Sequence, residues 1–372
     1  MDIRDRHQDN DVLMRGYLIR MLPLCFRRAL LLPVAITLLF AACSTNTHEK
    51  NAAGARAAVS LDDTLSLQNA CRVISVRLCS LLHTGDTASL ALFNHTLDSA
   101  AGAIKKNAGD TKKTLDSILS VVYGSWKIRF DPVDTVIETL LPHLVFQNRK
   151  GACLGVSLII LMLAEKLHCP VYGVMLPGHF FCRYDDGKRR INIEPNKEGD
   201  THPDDYYRKR YPVGNRPWYD LGNLPAAATI GMLCYNAGAL CLKQKQYDAA
   251  IACYRESARR IPGFVEAKGN LALTYAKKGN LDTALVLFEE LFIAHPDMVN
   301  LAANYGAVAM AAKQYRRALE IFRKGLDYFP GDTILHRRAA KAYARLGLND
   351  SATVFRSFIK AHDLSVPGAR TP

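Results

Sequence analysis

A cysteine, a histidine and a glutamate follow one another through the middle of this chain, and together they could perform nucleophilic catalysis. Cys153 stands in the stretch GACLGVS, directly before residues 154–167, which are apolar almost all round and predict a buried helix. The first turn of a helix offers free N–H groups and the positive end of the helix dipole, and both favour a thiolate over a thiol. Cys153 is therefore a candidate nucleophile. A small buried hydrophobic residue and half of a disulfide are the alternatives.

A predicted β-hairpin downstream supplies the other two side chains. Strand patterns over residues 179–184 and 190–194 flank DDGKR, which is typical of a tight turn. A turn centred on residues 186–187 sets His179 opposite Glu194, and directly opposed side chains lie about 5 Å apart at Cβ. An imidazole with a carboxylate in reach is the pair that general base and acid catalysis requires.

Side chains alternate between the two faces of this hairpin. The core face is predicted to carry Phe180, Cys182, Ile191 and Ile193, and the opposite face His179, Phe181, Asn192 and Glu194. Glu194 is the residue predicted to orient His179, and Asn192 on the same face is the alternative. The same register sets Arg183 opposite Arg190, a mildly unfavourable pair of like charges.

Helices are predicted on both sides of this region. Residues 61–131 show the apolar spacing of three and four that indicates amphipathic helices. After residue 229 the sequence repeats with a period of 34, the tetratricopeptide signature. The repeated positions are Pro262, Pro296 and Pro330; Ala250, Ala284, Ala318 and Ala352; and Tyr254, Phe288 and Phe322. The pattern predicts four repeats over residues 229–366, with 367–372 as a tail.

The four predicted units cover residues 231–264, 265–298, 299–332 and 333–366. Each small residue lets two helices approach, the aromatic fills the space between them, and proline closes the second helix. The last unit has Arg356 at the aromatic position and no closing proline, which is typical of a capping unit with a polar outer face.

The segments RKGACLGVSLIILMLAEKL, VYGVMLPGHFFCRY and NIEP together resemble the transglutaminase-like superfamily, over roughly residues 61–225. Members of that superfamily have a papain-like α+β fold with Cys, His and Asp in this chain order, and one bacterial branch joins the domain to tetratricopeptide repeats. The resemblance implies Cys153 as nucleophile, His179 as general base and acid, and Glu194 as the orienting residue. Glutamate stands here where the superfamily commonly has aspartate. The expected fold class is an α+β papain-like domain followed by an all-α repeat solenoid.

Two further features could serve this site. Gln147 lies six residues before Cys153, the offset at which papain-like proteases place an oxyanion donor, and a surface glutamine is the alternative. The Cys153 backbone N–H is a second candidate donor. Residues 199–220 interleave aromatic and basic side chains. They form either a flap that holds substrate or a connector whose rings pack on the domain, and the second interpretation is favoured.

The N-terminal region has the layout of a secretory signal. Arg27 and Arg28 precede the apolar residues 29–40, and small residues precede Cys43. The ending FAAC resembles the lipobox of bacterial lipoproteins. It implies removal of residues 1–42, lipidation of Cys43, a flexible tether over residues 43–60, and anchoring in the bacterial cell envelope facing the periplasm or exterior. A plain cleaved signal peptide is the alternative.

Net charge and cysteine spacing limit the classes of partner and metal that can be expected. The formal net charge of +13 weakly favours acidic partners such as envelope polymers or lipid headgroups, and nucleic acid is not expected for an exported protein. The ten cysteines include no CxxC pair and no Cys/His ligand spacing, so zinc is disfavoured, and thiol acyl chemistry implies no metal or cofactor. Disulfides remain open, with Cys169 as one candidate partner.

The combined prediction is an exported, lipid-anchored enzyme that cleaves or transfers an amide through a cysteine, acting on a protein or peptide. Water as the acceptor gives a peptidase or amidase, and an amine gives a transglutaminase; the sequence leaves both open. The repeats are expected to bind a protein partner. The alternative is a transglutaminase-like domain without turnover, which acts with its repeats as an adaptor in an envelope protein complex.

Overall fold

The computed structural model describes residues 61–365, except 84–86, 107–109, 134–135 and 215. The predicted leader, Cys43, the tether and the tail lie outside the described residues. Within the described part, a small α/β region is followed by a series of paired helices. This architecture agrees with the predicted fold class.

Three helices form the start of the α/β region. They are α1 (Leu67–Leu82), α2 (Thr87–Lys106) and α3 (Thr111–Leu119), with a π-helical turn at Ser120–Ser125. Ser66 and Asp110 cap the starts of α1 and α3, because each side chain accepts a backbone N–H from the first helical turn. Most apolar positions that set the spacing of three and four face the core, among them Leu78 and Ile118, whereas Val76 is 42% exposed.

Short elements then lead to the central helix. They are β1 (Arg129–Phe130), α4 (Ile137–Leu140), α5 (Pro142–Asn148), β2 (Lys150–Gly151) and α6 (Cys153–Lys166). Strands β1 and β2 pair in parallel. Helix α6 is buried from Leu154 to Ala164, because apolar side chains cover every face of it. Its first residue, Cys153, is partly exposed.

A three-stranded antiparallel sheet packs beside α6 in the order β3–β4–β5. Its strands are β3 (Val171–Leu176), β4 (His179–Asp185) and β5 (Arg190–Ile193). On β4, Phe180, Cys182 and Tyr184 belong to the main core, as the alternation predicts. Phe181 lies in a second, smaller apolar cluster together with Tyr207. The sheet therefore has apolar partners on both faces.

The predicted register of the β4–β5 hairpin is wrong by two residues. Arg183 lies opposite Asn192, and Asp185 lies opposite Arg190, so Arg183 and Arg190 do not face each other. The cause is the loop. The carboxylate of Asp186 accepts the backbone N–H groups two and three residues ahead of it, at 2.9 and 2.6 Å, and this turn holds four residues between the strands.

A shift of two residues leaves each side chain on its predicted face, because the strand period is two. His179 and Glu194 therefore share a face, although they are not directly opposed as predicted. Strand β5 ends at Ile193, and Glu194 caps the short 3₁₀-helix Pro195–Lys197 that follows.

A connector leads from the sheet to the repeats. It contains α7 (Asp204–Arg210) and a 3₁₀ turn (Pro217–Tyr219). Four consecutive helix pairs follow. They are α8 (Ala226–Lys243) with α9 (Tyr247–Arg260), α10 (Val265–Lys278) with α11 (Leu281–Ala294), α12 (Val299–Ala311) with α13 (Tyr315–Tyr328), and α14 (Thr333–Arg345) with α15 (Asn349–Ser365). Helix α8 begins five residues before the first predicted repeat unit.

Small and aromatic residues of the 34-residue repeat pack against each other within a helix pair, as the sequence predicts. Glycines on the first helix of a pair lie against an aromatic ring on the second: a Cβ at Gly238 would meet the Tyr254 ring at 2.9 Å, and one at Gly306 would meet Phe322 at 2.2 Å. In the last pair Arg356 is exposed, and the preceding residue, Phe355, packs against Tyr343 instead.

One hydrophobic core runs from the N-terminal helices through the inner face of the sheet into the repeats. Helix α8 joins these parts, because it contacts α1, α4 and β3 as well as α9. Among the described helices, α8 alone has the length and apolar character needed to cross a membrane, and most of it is buried inside the protein, as in a core helix. The α/β region and the repeats therefore share their packing.

Candidate active site

Cys153 lies at the first position of α6, where no side chain caps the helix. The preceding residue, Ala152, is buried, and its backbone N–H donates to the carbonyl of Thr139 at 3.0 Å. This bond ties the start of α6 to α4. The thiol is thus presented at a helix N-terminus whose free N–H groups favour an anion.

Two glycines allow the close packing that fixes the cysteine. A Cβ at Gly155 would meet the backbone oxygen of Thr139 at 2.1 Å, and one at Gly151 would meet the side chain of Val145 at 2.7 Å. Real Cβ atoms do not approach backbone this closely, so α6 can begin here only with glycine two residues after Cys153.

His179 and Glu194 form a buried pair. The Nε2 of His179 lies 2.9 Å from Oε2 of Glu194, and the two side chains are 2% and 3% exposed. The other carboxylate oxygen of Glu194 accepts the backbone N–H of Asn196 at 3.0 Å. Cys153 lies next to His179, and its proximity helps to raise the pKa of the imidazole. With Nε2 turned to Glu194, Nδ1 is the ring atom left for the sulfur. The structure thus brings Cys153, His179 and Glu194 together.

The contacts set the charge of the pair. Burial alone would lower the pKa of His179, but its interactions with Cys153 and Glu194 together outweigh burial and raise that pKa from 6.5 to about 9. Burial would raise the pKa of Glu194, but the bonds from His179 and from the Asn196 N–H lower it. At neutral pH the ring is therefore an imidazolium beside a carboxylate.

The alternative orienting residue has other partners. The amide nitrogen of Asn192 donates to the His202 carbonyl at 2.9 Å and to the Asp204 carboxylate at 2.8 Å. Its amide oxygen accepts a bond from Arg183 at 2.6 Å. Asn192 therefore helps to hold the connector. Gln147 is exposed near the end of α5.

Two aromatic rings that cover His179 are not distinguished by the sequence pattern from the other aromatics of residues 199–220. Tyr211 stacks on the imidazole with centroids 4.5 Å apart and an angle of 10° between planes, and Tyr207 lies 6.2 Å away. The aromatic and basic composition of residues 199–220 indicates that the segment matters, but it does not indicate which of its aromatic rings contacts His179. The interpretation as a packed connector agrees with these contacts, and the connector also lies over the site.

A cavity of about 400 Å³ opens beside strand β2, close to the start of α6. Its lining residues are Asp131, Val133, Val136, Glu138, Thr139, Asn148 and Lys150.

Within the described ranges, no group of three or more histidine, cysteine or acidic side chains could hold a metal ion. None of the eight cysteines in those ranges, Cys169 included, forms a disulfide.

Comparison with known proteins gives matches to parts of the chain. The Hsp70-Hsp90 organizing protein of Triticum aestivum is 32% identical over 90 residues, which are 24% of this chain and 16% of that protein. Hsp70-Hsp90 organizing protein 3 of Arabidopsis thaliana is 31% identical over 88 residues. The chain thus spans about a sixth of the length of these curated relatives.

Among solved structures, MamA of Desulfovibrio magneticus RS-1 shares 16% identity and a TM-score of 0.35, over 37% of this chain and 78% of that one. The structure titled MamA MSR-1 C2 shares 20% identity and a TM-score of 0.33, over 36% and 77% of the two chains. Two family models match directly. Residues 91–216 match the transglutaminase-like superfamily, and residues 235–299 match the tetratricopeptide repeat. This chain therefore contains a transglutaminase-like domain followed by tetratricopeptide repeats.

Proposed function

We propose that this chain is an exported cysteine acyl-transfer enzyme whose repeats hold a protein partner or substrate. The observation that carries the proposal is the grouping of Cys153, His179 and Glu194, in which a thiol at a helix start lies next to a histidine that is held by a buried carboxylate. A nucleophile, a base within reach and a third group that orients the base are the parts that thiol acyl chemistry needs.

In the proposed reaction the Cys153 thiolate attacks the carbonyl carbon of an amide. A C–S bond forms, the C–N bond breaks, and His179 gives its Nδ1 proton to the leaving amine. Water or a second amine then attacks the thioester, its proton returns to His179, and the thiolate leaves. The sum is hydrolysis or transamidation of an amide, and no external oxidant or reductant is needed.

The other residues have supporting roles in this proposal. Glu194 accepts the Nε2 proton in a hydrogen bond and stabilises the imidazolium. The Cys153 backbone N–H, at an uncapped helix start, is the first candidate donor to the developing oxyanion, and Gln147 is the second. The cavity beside β2 lies where part of a substrate could rest.

Protein binding by the repeats is supported by the family match and by relatives that are themselves organizing proteins. Export and anchoring rest on the predicted leader and on Cys43. Labelling cells with a fatty-acid analogue tests the anchor. We expect the wild-type chain to incorporate the label and Cys43→Ser to lose it. Equal labelling of both chains contradicts the anchor without touching the acyl-transfer proposal.

An adaptor without turnover is the second candidate function. The observation that favours it is the covering of the site, because His179 and Glu194 are almost fully buried and Tyr211 lies over the imidazole. In that case the His179–Glu194 pair would serve only to hold the end of the hairpin in place, and the repeats would carry the function.

Labelling with electrophilic peptide probes decides between the two candidates. We expect covalent labelling of the wild-type chain, no labelling of Cys153→Ala, and labelling of His179→Ala slowed by roughly 10²-fold or more. Cys169→Ala is the matched control, because that thiol is buried away from the pair, and it should label like wild type. Equal, slow labelling of all four chains favours the adaptor.

A further inference from the structure

We propose that Tyr211 is a positioning residue for His179, and that Arg183 and Asp204 clamp the connector so that this ring stays stacked on the imidazole. The inference rests on the proposed function, since it concerns the same histidine. It assigns a role to the connector that neither the family match nor the triad itself contains.

The stack is close and nearly parallel. The rings of Tyr211 and His179 are 4.5 Å apart at their centroids and inclined by 10°. Behind them, Phe181 and Tyr207 form a second parallel pair at 4.0 Å and 13°. An imidazole pressed against an aromatic face cannot rotate about its last side-chain bond without losing that contact. The stack therefore holds the ring in the plane in which its Nε2 meets Glu194.

A buried arginine holds the helix that carries the tyrosines. Arg183 is 1% exposed and donates to the Asp204 carboxylate at 2.7 Å, to Asn192 at 2.6 Å and to the Leu221 carbonyl. One guanidinium thus ties the start of α7 and the end of the connector to strand β4. A charge-assisted bond of this kind is stronger than a neutral one, and loss of the carboxylate leaves a buried charge unpaired.

The spacing along α7 links the clamp to the stack. Tyr207 and Tyr211 follow Asp204 by three and seven residues, which is one face of a helix. Tyr211 is the residue at which α7 ends, and its backbone N–H still donates to the Tyr207 carbonyl at 2.8 Å. Fixing Asp204 therefore places both rings against the hairpin.

The stack also acts on charge. An aromatic face attracts a cation, and the phenol ring replaces water that would otherwise solvate the imidazolium. The titratable groups that face His179 are Cys153 from α6, Glu194 from the end of β5, and Tyr207 and Tyr211 from the connector. Arg210 is the nearby cation, and it bonds to the Tyr211 hydroxyl at 3.4 Å.

The test measures the ring directly in the full-length chain. The chain is labelled with ¹³C-histidine, His179→Gln identifies the His179 signal, and its titration midpoint is compared among variants. In Tyr211→Leu we expect the midpoint to fall by about 0.5 to 1 pH unit, because the cation–π contact is lost while the leucine side chain still excludes water. Tyr211→Phe keeps the stack and should stay within about 0.2 unit of wild type.

Tyr206→Leu is the matched control. Its ring is on the same helix but stacks on His202, so the His179 midpoint should not move. A folded Tyr211→Leu chain with the wild-type midpoint overturns the proposal. If that variant does not fold, Asp204→Asn gives the same test through the clamp: a lowered midpoint supports the proposal, and an unchanged one overturns it.

These outcomes are separable from the fate of the proposed function. Failure of the function appears as absent probe labelling of wild-type Cys153, whereas the His179 midpoint is read without any turnover. If the probe does not label the chain but Tyr211→Leu still lowers the His179 midpoint, the positioning role is supported and the enzymatic function is not.

Discussion

The contact between His179 and its two partners governs both charge and stability at the residue scale. The raised pKa of His179 means that the pair stabilises the fold fully below about pH 6.5 and loses that contribution as pH rises through about 9. The pKa of Glu194 is lowered in the folded protein, so Glu194 stabilises the fold fully above the ordinary glutamate pKa of 4.5. This stabilisation is lost as the pH falls through the lowered pKa of the folded protein. The ion pair therefore persists across neutral pH.

Thiol reactivity should be confined to one cysteine. Burial raises the pKa of Cys169 to about 11 and of Cys182 and Cys234 to about 12, so these thiols are protonated and inaccessible. Cys153 is the partly exposed one among the described cysteines. We expect iodoacetamide at pH 7 to modify Cys153 at least about ten times faster than these three, as read by mass spectrometry of peptides. Comparable rates contradict an activated Cys153.

The imidazolium should also select between charged and neutral reagents. Below about pH 9 the cation on His179 attracts the anionic iodoacetate to the neighbouring sulfur, and above that pH the attraction is lost. We therefore expect the ratio of the iodoacetate rate to the iodoacetamide rate at Cys153 to fall several-fold between pH 7 and pH 10. In His179→Gln the ratio should be low and flat. A wild-type ratio that does not change with pH contradicts the imidazolium assignment.

At the element scale, the start of α6 depends on a glycine. Gly155→Ala places a Cβ against the Thr139 carbonyl and pushes α6 away from α4. We expect a loss of about 1–3 kcal/mol in the free energy of unfolding, measured with urea, and slower alkylation of Cys153. Gly102→Ala is the control, because its Cβ on α2 meets nothing within 4 Å, and it should stabilise by about 0.5–1 kcal/mol. Equal effects of the two changes contradict the close-packing explanation.

The hairpin shows how far local pattern reaches at this scale. Alternation alone assigned Phe180 and Cys182 to the core and His179 to the other face, and a shift of two residues could not change that. The pairing itself depended on the loop. The Asp186 carboxylate accepts two backbone N–H groups inside the loop, and these bonds favour a loop of four residues over a two-residue turn.

At the scale of the whole molecule, the α/β region and the repeats are fastened at several points. Arg259 on α9 forms an ion pair with Asp63 at 2.7 Å, and the Tyr219 hydroxyl bonds to Glu266 on α10 at 3.1 Å. The ring of Trp218 meets His295 at 5.6 Å. With the shared core across α8, these contacts predict that the described parts unfold together.

The two tryptophans provide a test of that coupling. Trp126 lies in the core of the α/β region, and Trp218 lies in the connector beside α11. In Trp218→Phe the fluorescence comes from Trp126 and reports on the α/β region. In Trp126→Phe it comes from Trp218 and reports on the connector beside the repeats. We expect urea midpoints from the two variants that differ only by the small stability change of each substitution, with the far-UV signal of each chain moving at the same midpoint. Two separate transitions within one variant contradict the shared core.

The sequence by itself determined the 34-residue repeat, the buried helix after Cys153, the faces of the hairpin, and the order of Cys153, His179 and Glu194. These features follow from periods of two and 3.6 residues and from a repeat length, which neighbouring residues set among themselves. Tertiary structure alone decided that Glu194 rather than Asn192 bonds to the imidazole, that Tyr211 stacks on it, and that Arg183 clamps the connector. Those contacts join residues that are distant along the chain, so loop lengths and the packing of whole elements fix them, and no local pattern encodes either.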